Sequence, residues 1–442
     1  VMRLCHRSIH EGPAMFIDRL LSNSVIPRAL LIAAVSLTVS PTASLADGLN
    51  ALIDGGKPAL DIRYRYEAVD QAGRVKDADA NTMRIRAGFE TGRINLGGLE
   101  GIGGAFDVEW IEHIGGQAFN DTINGKTTYP VVADPDDFAV NQLYLSAVDT
   151  IPGTKVKIGR QRMIWDNARF IGNVGFRQNE QTFDAARLDI TALTDWDLGY
   201  LYIDEVHRIF GRDSSTGRLE LKGHGIRAQF RGFKPVTITP FALLLDYDRS
   251  SQAASSTASY GSLINAKIKL NDDVTATFAG ALARQEDHGN NTGDYHVWYY
   301  NAEPGLNYGP WRFSVGIEQL DGNGTQAFGT PLATLHKFNG VTDQFLNTPT
   351  GGLRDLYGKA KTTLPAIGGI KGIKLFGAYH RFSDDDGSVD YGEEWNVGLA
   401  KAFPSRYGPI TLSLQYADYE ADAFASDIDK LWLTVSFKLK PK

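Results

Sequence analysis

The sequence predicts an all-β chain, a transmembrane antiparallel up-and-down β-barrel of about 18 strands with short turns at one end and long loops at the other. Three observations predict it. Strand-length segments alternate apolar and polar residues at period two: Leu60-Asp61-Ile62-Arg63-Tyr64-Arg65-Tyr66 and Leu431-Trp432-Leu433-Thr434-Val435-Ser436-Phe437-Lys438 are examples. The links between these segments are short and long by turns. After residue 46 no apolar run reaches the roughly 20 residues that a membrane-spanning helix needs.

With 442 residues, 43% hydrophobic and 22% charged, the chain can bury a large core. It carries no Pro-rich or Gly/Ser-rich spacer, and its 47 glycines are dispersed, so nothing divides it into soluble domains. A net charge of −7 argues against a nucleic-acid partner. From Met15 the chain has the three parts of a secretory signal: basic Arg19 and Arg28, an apolar run from Ala29 to Val39, and the small-residue exit Ser44-Leu45-Ala46. That apolar run is too short to cross a bilayer of roughly 30 Å. We therefore expect residues 1–46 to be an N-terminal extension and cleaved signal peptide, with the barrel over 47–442. Cys5, the single cysteine, falls in the extension, which leaves the mature chain without disulfides or thiolate metal sites.

In chain order the alternation marks strands near 58–71, 80–94, 101–115, 137–150, 154–164, 182–193, 195–210, 223–235 and 236–249. It continues near 256–271, 274–287, 295–309, 311–323, 355–365, 373–387, 393–404, 410–422 and 427–440. Short links fall at 151–153, 194–195, 232–235, 270–273, 308–310 and 404–408; long ones at 116–136, 165–181, 211–222, 250–255, 288–294 and 324–354. Turns in the periplasm and loops outside the cell are the pattern of an outer-membrane barrel, whereas a soluble sandwich has no reason to segregate its loops. Tyr64, Tyr66, Trp110, Tyr144, Tyr200, Tyr202, Trp298, Tyr299, Tyr300, Trp311, Trp432 and Phe437 fall where interfacial girdles are expected. A mean hydropathy of −0.23 fits a wide barrel with a polar interior.

The block GRQRMIWDNARFIGNVGFRQNEQTFDAARL, from Gly159 to Leu188, and the block TPLATLHKFNGVTDQFLNTPTGGLRDLYGKA, from Thr330 to Ala360, resemble the alginate export family of outer-membrane barrels. The resemblance implies an eighteen-stranded barrel, export of an anionic polyuronate through an arginine- and lysine-rich constriction, and periplasmic scaffold proteins as partners. It implies no cofactor and no enzymatic activity.

The first block crowds arginines among Trp, Phe, Asn and Gln, and a long loop there is expected to fold inward. Guanidinium groups held in a lumen bind carboxylates bidentately. Parity adds to the set: with Ile62, Tyr64, Ile85 and Phe89 toward lipid, the residues between them face the lumen, because a mid-depth charge on the lipid side costs roughly 2–4 kcal/mol. The expected lumen residues are Arg63, Arg65, Arg84, Arg86, Arg160, Arg162, Arg169, Arg177, Arg187, Arg227 and Arg231. Unpaired, they favour an anionic polysaccharide or a small anionic or sugar-like solute. A second arrangement is open: Arg160, Arg162, Asp166, Arg169, Arg177, Glu180 and Asp184 form a charge network that pins the loop, while Asp61, Asp107, Glu109, Asp189 and Asp197 neutralise the wall. The functional alternatives are a general porin and a plugged barrel that binds a partner through its loops.

Segment 324–354, with Pro331, Pro349 and the pair Gly351-Gly352, is expected to be an ordered flap, a lid over the outer mouth with most of its residues packed at the surface; His336 and Lys337 are assigned no ligand. Asp384-Asp385-Asp386-Gly387 is similar to a calcium loop, but Phe382 stands where an EF-hand needs an acid, so a solvated acidic loop is expected, with a divalent site as the alternative. Scattered histidines exclude a HExxH zinc site, and neither a nucleophile elbow nor a P-loop is present. Besides its solute, the expected contacts of this monomer are outer-membrane lipid and lipopolysaccharide.

Overall fold

The computed structural model describes residues 45–441, so the expected signal and extension, apart from Leu45 and Ala46, lie outside the described residues, as does Cys5. The unit that carries the barrel runs from Leu49 to Lys442. It is entered by helix α1 (Leu45–Asp54), which no pattern in the sequence had marked. Gly55 ends this helix, its N–H donating to the Ala51 carbonyl, and the Leu52 carbonyl accepts from the Gly92 N–H at 2.7 Å.

The strands that follow are β1 (Lys57–Gln71), β2 (Ala78–Glu90), β3 (Ile94–Leu96), β4 (Leu99–His113), β5 (Asp137–Val148), β6 (Thr154–Gln161) and β7 (Thr182–Ile190). Next come β8 (Trp196–His207), β9 (Arg218–Phe230), β10 (Val236–Tyr247), β11 (Thr257–Lys269), β12 (Val274–Asp287) and β13 (His296–Tyr308). The last are β14 (Trp311–Leu320), β15 (Leu353–Thr363), β16 (Lys374–Ser383), β17 (Asp390–Phe403), β18 (Ile410–Ala421) and β19 (Ile428–Lys438). Apart from β3, each pairs antiparallel with the next strand in the chain, β2 with β4, and β19 returns to β1, with Tyr64 opposite Val435. The three-residue β3 pairs only with β4, so the closed barrel has the remaining eighteen strands. Closure leaves no strand edge unpaired, which is what a lipid environment without hydrogen-bonding partners demands.

Every expected strand is present, but several expected ends overshoot. The alternation of 154–164 runs past the end of β6 at Gln161 because Met163 and Trp165 still point into a core after the chain has left the ladder. Link lengths segregate as expected. At the turn end, β13 and β14 are joined by Gly309 and Pro310 alone, and Gly309 takes the positive φ of 53° that so tight a turn requires. At the loop end the links over 114–136, 162–181 and 321–352 are the longest.

The outer face is apolar: Phe106, Leu143, Leu145, Ile226, Leu282, Val315, Leu356 and Leu414 are all exposed. The interior departs from the expected polar lumen. In its loop-end half, Leu201, Ile203, Leu219, Leu221, Phe241, Leu243 and Leu245 of β8–β10 pack on Met163, Phe170, Ile171, Phe328 and Leu332 from the long loops. Strand β10 reads Phe241-Ala242-Leu243-Leu244-Leu245, apolar on both faces, as a strand between lipid and a packed core must be. Three expected girdle aromatics also turn inward. Tyr299 and Trp432 are buried, meeting Phe170 and Phe176 edge-on at 5.8 Å, and Tyr144 shares a face with Ser146, with the Lys157 ammonium 4.1 Å above its ring. Inward loops gave Tyr299 and Trp432 a partner that the strand pattern alone does not contain, whereas Tyr144 is covered by Lys157 of the neighbouring strand.

Candidate functional site

Two long loops cross the lumen and are knitted to each other. The Gly172 N–H donates to the Leu332 carbonyl at 2.8 Å, Thr334 N–H to the Ala168 carbonyl at 3.0 Å, and Gln181 Nε2 to the Leu332 carbonyl at 3.0 Å. Segment 324–354 is therefore not a lid over the mouth. Phe328, Leu332, Ala333, Asn339, Thr342 and Phe345 are buried inside the barrel, where Glu394 of β17 accepts from Val341 N–H at 2.6 Å and Thr342 N–H at 3.0 Å. Its apolar residues draw it inward, because β8–β10 and the rings of Phe382, Tyr391 and Tyr419 offer it an apolar wall. His336 pairs with Asp343 at 2.8 Å and stacks on Phe176, while Lys337 donates to the Asn167 carbonyl. The link over 114–136 joins the assembly through Asp134, whose Oδ1 accepts from the Gln178 N–H at 2.7 Å.

Most of the arginines expected in the solute path hold this plug in place. Arg63 donates from Nη1 to the carbonyls of Gly175, Phe176 and Arg177 at 2.9–3.1 Å. The Arg65 guanidinium lies 4.0 Å over the Phe176 ring. Arg84 pairs with Asp61 at 2.5 Å, and Arg86 bridges Glu109 and Glu180. Arg162 also binds Glu180, and Asn141 and Asn173 donate to the same carboxylate at 2.7 and 2.9 Å. Burial alone would raise the Glu180 pKa, but Arg86, Arg162 and these amides bring it down to about 2. Arg169 meets Glu318 at 3.1 Å and Asn339 at 3.1 Å. Arg177 lies among Glu67, Asp134 and Asp343, at 3.0, 3.7 and 3.1 Å. Burial opposes its charge, yet the three carboxylates hold its pKa above the usual guanidinium value; Asp343, equally buried, is held well below the carboxylate range by His336, Lys430 and Arg177. Arg227 reaches Asp166 on the loop at 2.8 Å.

The charge network thus exists, but with partners other than those the loop itself supplies. Among the described residues Arg162–Glu180 joins two residues of the 162–181 link; Arg169–Glu318, Arg177–Glu67 and Asp166–Arg227 tie that link to the wall, and Arg177 also ties it to Asp134 and Asp343 of the other two long links. Arg160 is a correction. It lies opposite Leu143 and Asp184, and Leu143 is 60% exposed, so Arg160 stands on the outer face of the barrel and not in the lumen. Plain alternation along β6 places it there, with Val156 and Ile158 on the same outer face and Lys155, Lys157 and Gln161 on the inner one. On that outer face Asp184, Glu205 and His207 bring ligand-type atoms within 4.8 Å of one another, but Arg160 and Arg218 already occupy the two carboxylates. The acidic loop is likewise self-satisfied: Asp384 accepts from Ser388 Oγ and Val389 N–H, Asp386 from Ser388 N–H, and Asp385 from Gly322 N–H.

The turn-end half of the lumen is different in kind. Arg187 and Arg231 are there, paired with Asp189 and Asp197 at 2.8 and 2.7 Å. Among the described residues Lys157, Lys267, Arg312, Lys361 and Lys374, all at inward positions, have no carboxylate within pairing distance. Some face each other directly: Arg312 is opposite Lys361, and Lys157 is opposite Arg187. Like charges so placed repel, and hydration by a wide lumen is what makes them tolerable. Sequence reasoning missed the lysines. The signal was present as Lys155-Val156-Lys157, Lys267-Ile268-Lys269 and Lys359-Ala360-Lys361, two cations one residue apart on one face of a strand.

Residues 59–318, more than half of the chain, match the family described as Alginate export. No curated protein matches the sequence. Among solved structures the fold is similar to OccAB2 of Acinetobacter baumannii, at TM-score 0.68 and 16% identity over 88% of this chain and 100% of that one. It is equally similar to Pseudomonas aeruginosa OpdK with vanillate, at TM-score 0.68 and 15% identity over 88% and 99% of the two chains. Pseudomonas aeruginosa OpdO follows at 0.66 and 14% over 88% and 99%. With a closed eighteen-stranded barrel, an apolar outer face and loops turned into the lumen already described, the family match places the chain: it belongs to the alginate export family and is a channel of the outer membrane, not an enzyme.

Proposed function

We propose that this channel passes anionic solutes, up to an anionic polysaccharide, and that its selectivity is set by the lysine-rich turn-end vestibule more than by the arginines of the plug. The observation that supports this reading is the set of inward cations without carboxylate partners among the described residues, Lys157, Lys267, Arg312, Lys361 and Lys374, three of which are directly opposed to another cation. An arginine in a three-carboxylate cage presents little free charge to a passing solute, whereas a hydrated lysine row does. The solved relative with vanillate, a carboxylate, is in keeping with such a wall. The reading carries with it a secretory signal ending near Ala46, contact with lipid and lipopolysaccharide, a monomeric barrel and delivery of polymer by periplasmic scaffold proteins.

The test is the reversal potential of the refolded mature barrel in a planar bilayer under a salt gradient. Anion preference that inverts in a Lys157→Glu, Arg312→Glu, Lys361→Glu variant is the expected result. Cation preference in the parent barrel would leave a general porin. A second reading, a gated channel, is favoured by the loops that knit across the lumen: conductance is then low until the Arg177 and Glu180 contacts are broken.

A further inference from the structure

On the inner wall of the vestibule, β10–β13 border a shallow recess of about 350 Å³, open to the lumen, lined by Thr237, Asn265, Lys267, Thr277, Ala279 and Glu303. Strand register builds it. One row across the wall runs Thr237, Asn265, Ala279, Glu303, each directly opposite the next. The adjacent row runs Lys267, Thr277, Gly305, Ser314, Lys359. Ala279 and Gly305 supply the floor by being small; a Cβ on Gly305 would come within 2.6 Å of Thr277 Oγ1 and 2.9 Å of the Phe313 carbonyl oxygen. Hydrogen-bonding side chains stand around that floor.

Their chemistry is mixed. The Glu303 Oε2 accepts from Tyr357 Oη at 2.7 Å and from Lys359 Nζ at 3.4 Å, and Tyr357 also receives a bond from Asn301 at 3.2 Å. This fixes the carboxylate's orientation and still leaves it lone pairs toward the recess. Thr237, Asn265, Lys267 and Thr277 have no protein partner among the described residues. A site for a simple anion would offer donors alone. Two hydroxyls, an amide and an ammonium beside an oriented carboxylate offer donors and acceptors together, which is the complement of vicinal hydroxyl groups. The volume lies at the lower end of the roughly 300–1,000 Å³ of small-molecule sites, enough for a ring or two.

We propose that this recess is a subsite for uncharged, hydroxyl-rich solute, a neutral sugar ring, and that it works independently of the vestibule's attraction for anions. It rests on the channel reading only in that solute must reach the vestibule. The test is saturation-transfer NMR of D-glucose with the full mature barrel in detergent micelles, which requires no conduction, alongside reversal potentials on the same variants. Glucose is expected to bind. Ala279→Leu, which fills the floor and keeps every polar group, is expected to abolish the signal, and Glu303→Ala to weaken binding by about fivefold or more, as loss of one net hydrogen bond would. Anion selectivity should be unchanged in Ala279→Leu, with the variant's heat-modifiable gel mobility reporting an intact barrel. An absent glucose signal, an equal one in Ala279→Leu, or displacement of glucose by acetate at comparable concentration would each overturn the proposal. Absence of anion selectivity in the parent barrel would instead overturn the anion-selective reading and leave the recess standing.

Discussion

The loop-end and turn-end halves of the lumen use cations in opposite ways. At the loop end, Arg84, Arg86, Arg169 and Arg177 are buried and Arg162 partly so, each against one or more carboxylates. At the turn end, Lys267, Arg312, Lys361 and Lys374 have none among the described residues. The difference follows from solvation. Where loops have excluded water, a charge must be paired and hydrogen-bonded, and a planar guanidinium does this with several partners at once. Where water remains, a lysine keeps its hydration and its field reaches the solute. Arginine content in a lumen is therefore a poor measure of its attraction for anions.

The largest expected effect breaks the comparison by removing the plug. Shortening 324–348 to a Gly/Ser link should raise single-channel conductance several-fold, because the knitted bar loses one of its two strands; unchanged conductance would mean that the loops leave an open path. Next in size is Arg177→Ala. It leaves buried Glu67 and Asp134 without their ion-pair partner and Asp343 with only His336 and Lys430, at a cost of about 3–5 kcal/mol, read as a fall in the temperature of the heat-modifiable gel transition. Smaller is the response to acid. Glu180 has a depressed pKa of about 2, so its stabilisation is complete above the unfolded value near 4.5 and fades as pH falls from there toward 2. Conductance should rise over that window in the parent barrel, and Glu180→Gln should already show higher conductance at pH 7. The smallest effect sharpens the comparison. Arg160→Ala, on the outer face, should leave the reversal potential within error, while Lys361→Ala shifts it toward cations; an equal shift for both would contradict the assignment of faces.

Much of the barrel was legible in advance because two physical demands write directly into sequence. Backbone groups in lipid must pair, so strands recur, and one face must be apolar, so they alternate. All eighteen spans were readable from this, as were the inward positions of Arg63, Arg65, Arg84 and Arg86. The site was legible only as a collection of residue types. Arg160 was misplaced because it was grouped with the loop arginines although it alternates with Val156 and Ile158 on the outer face of β6, and Tyr299 and Trp432 because a girdle aromatic and a core aromatic have the same local pattern.

By itself the sequence determined the strand count, the segregation of turns from loops and the family, all consequences of local periodicity and of two long blocks of unusual composition. Only the tertiary structure decided that segment 324–354 goes inside, that the loop arginines are spent on pairing, and that the free charge belongs to lysines near the turns. The physical reason is that burial and charge pairing are properties of neighbours brought together across the barrel. Arg177 and Glu67 are 110 residues apart in the chain and 3.0 Å apart in the fold.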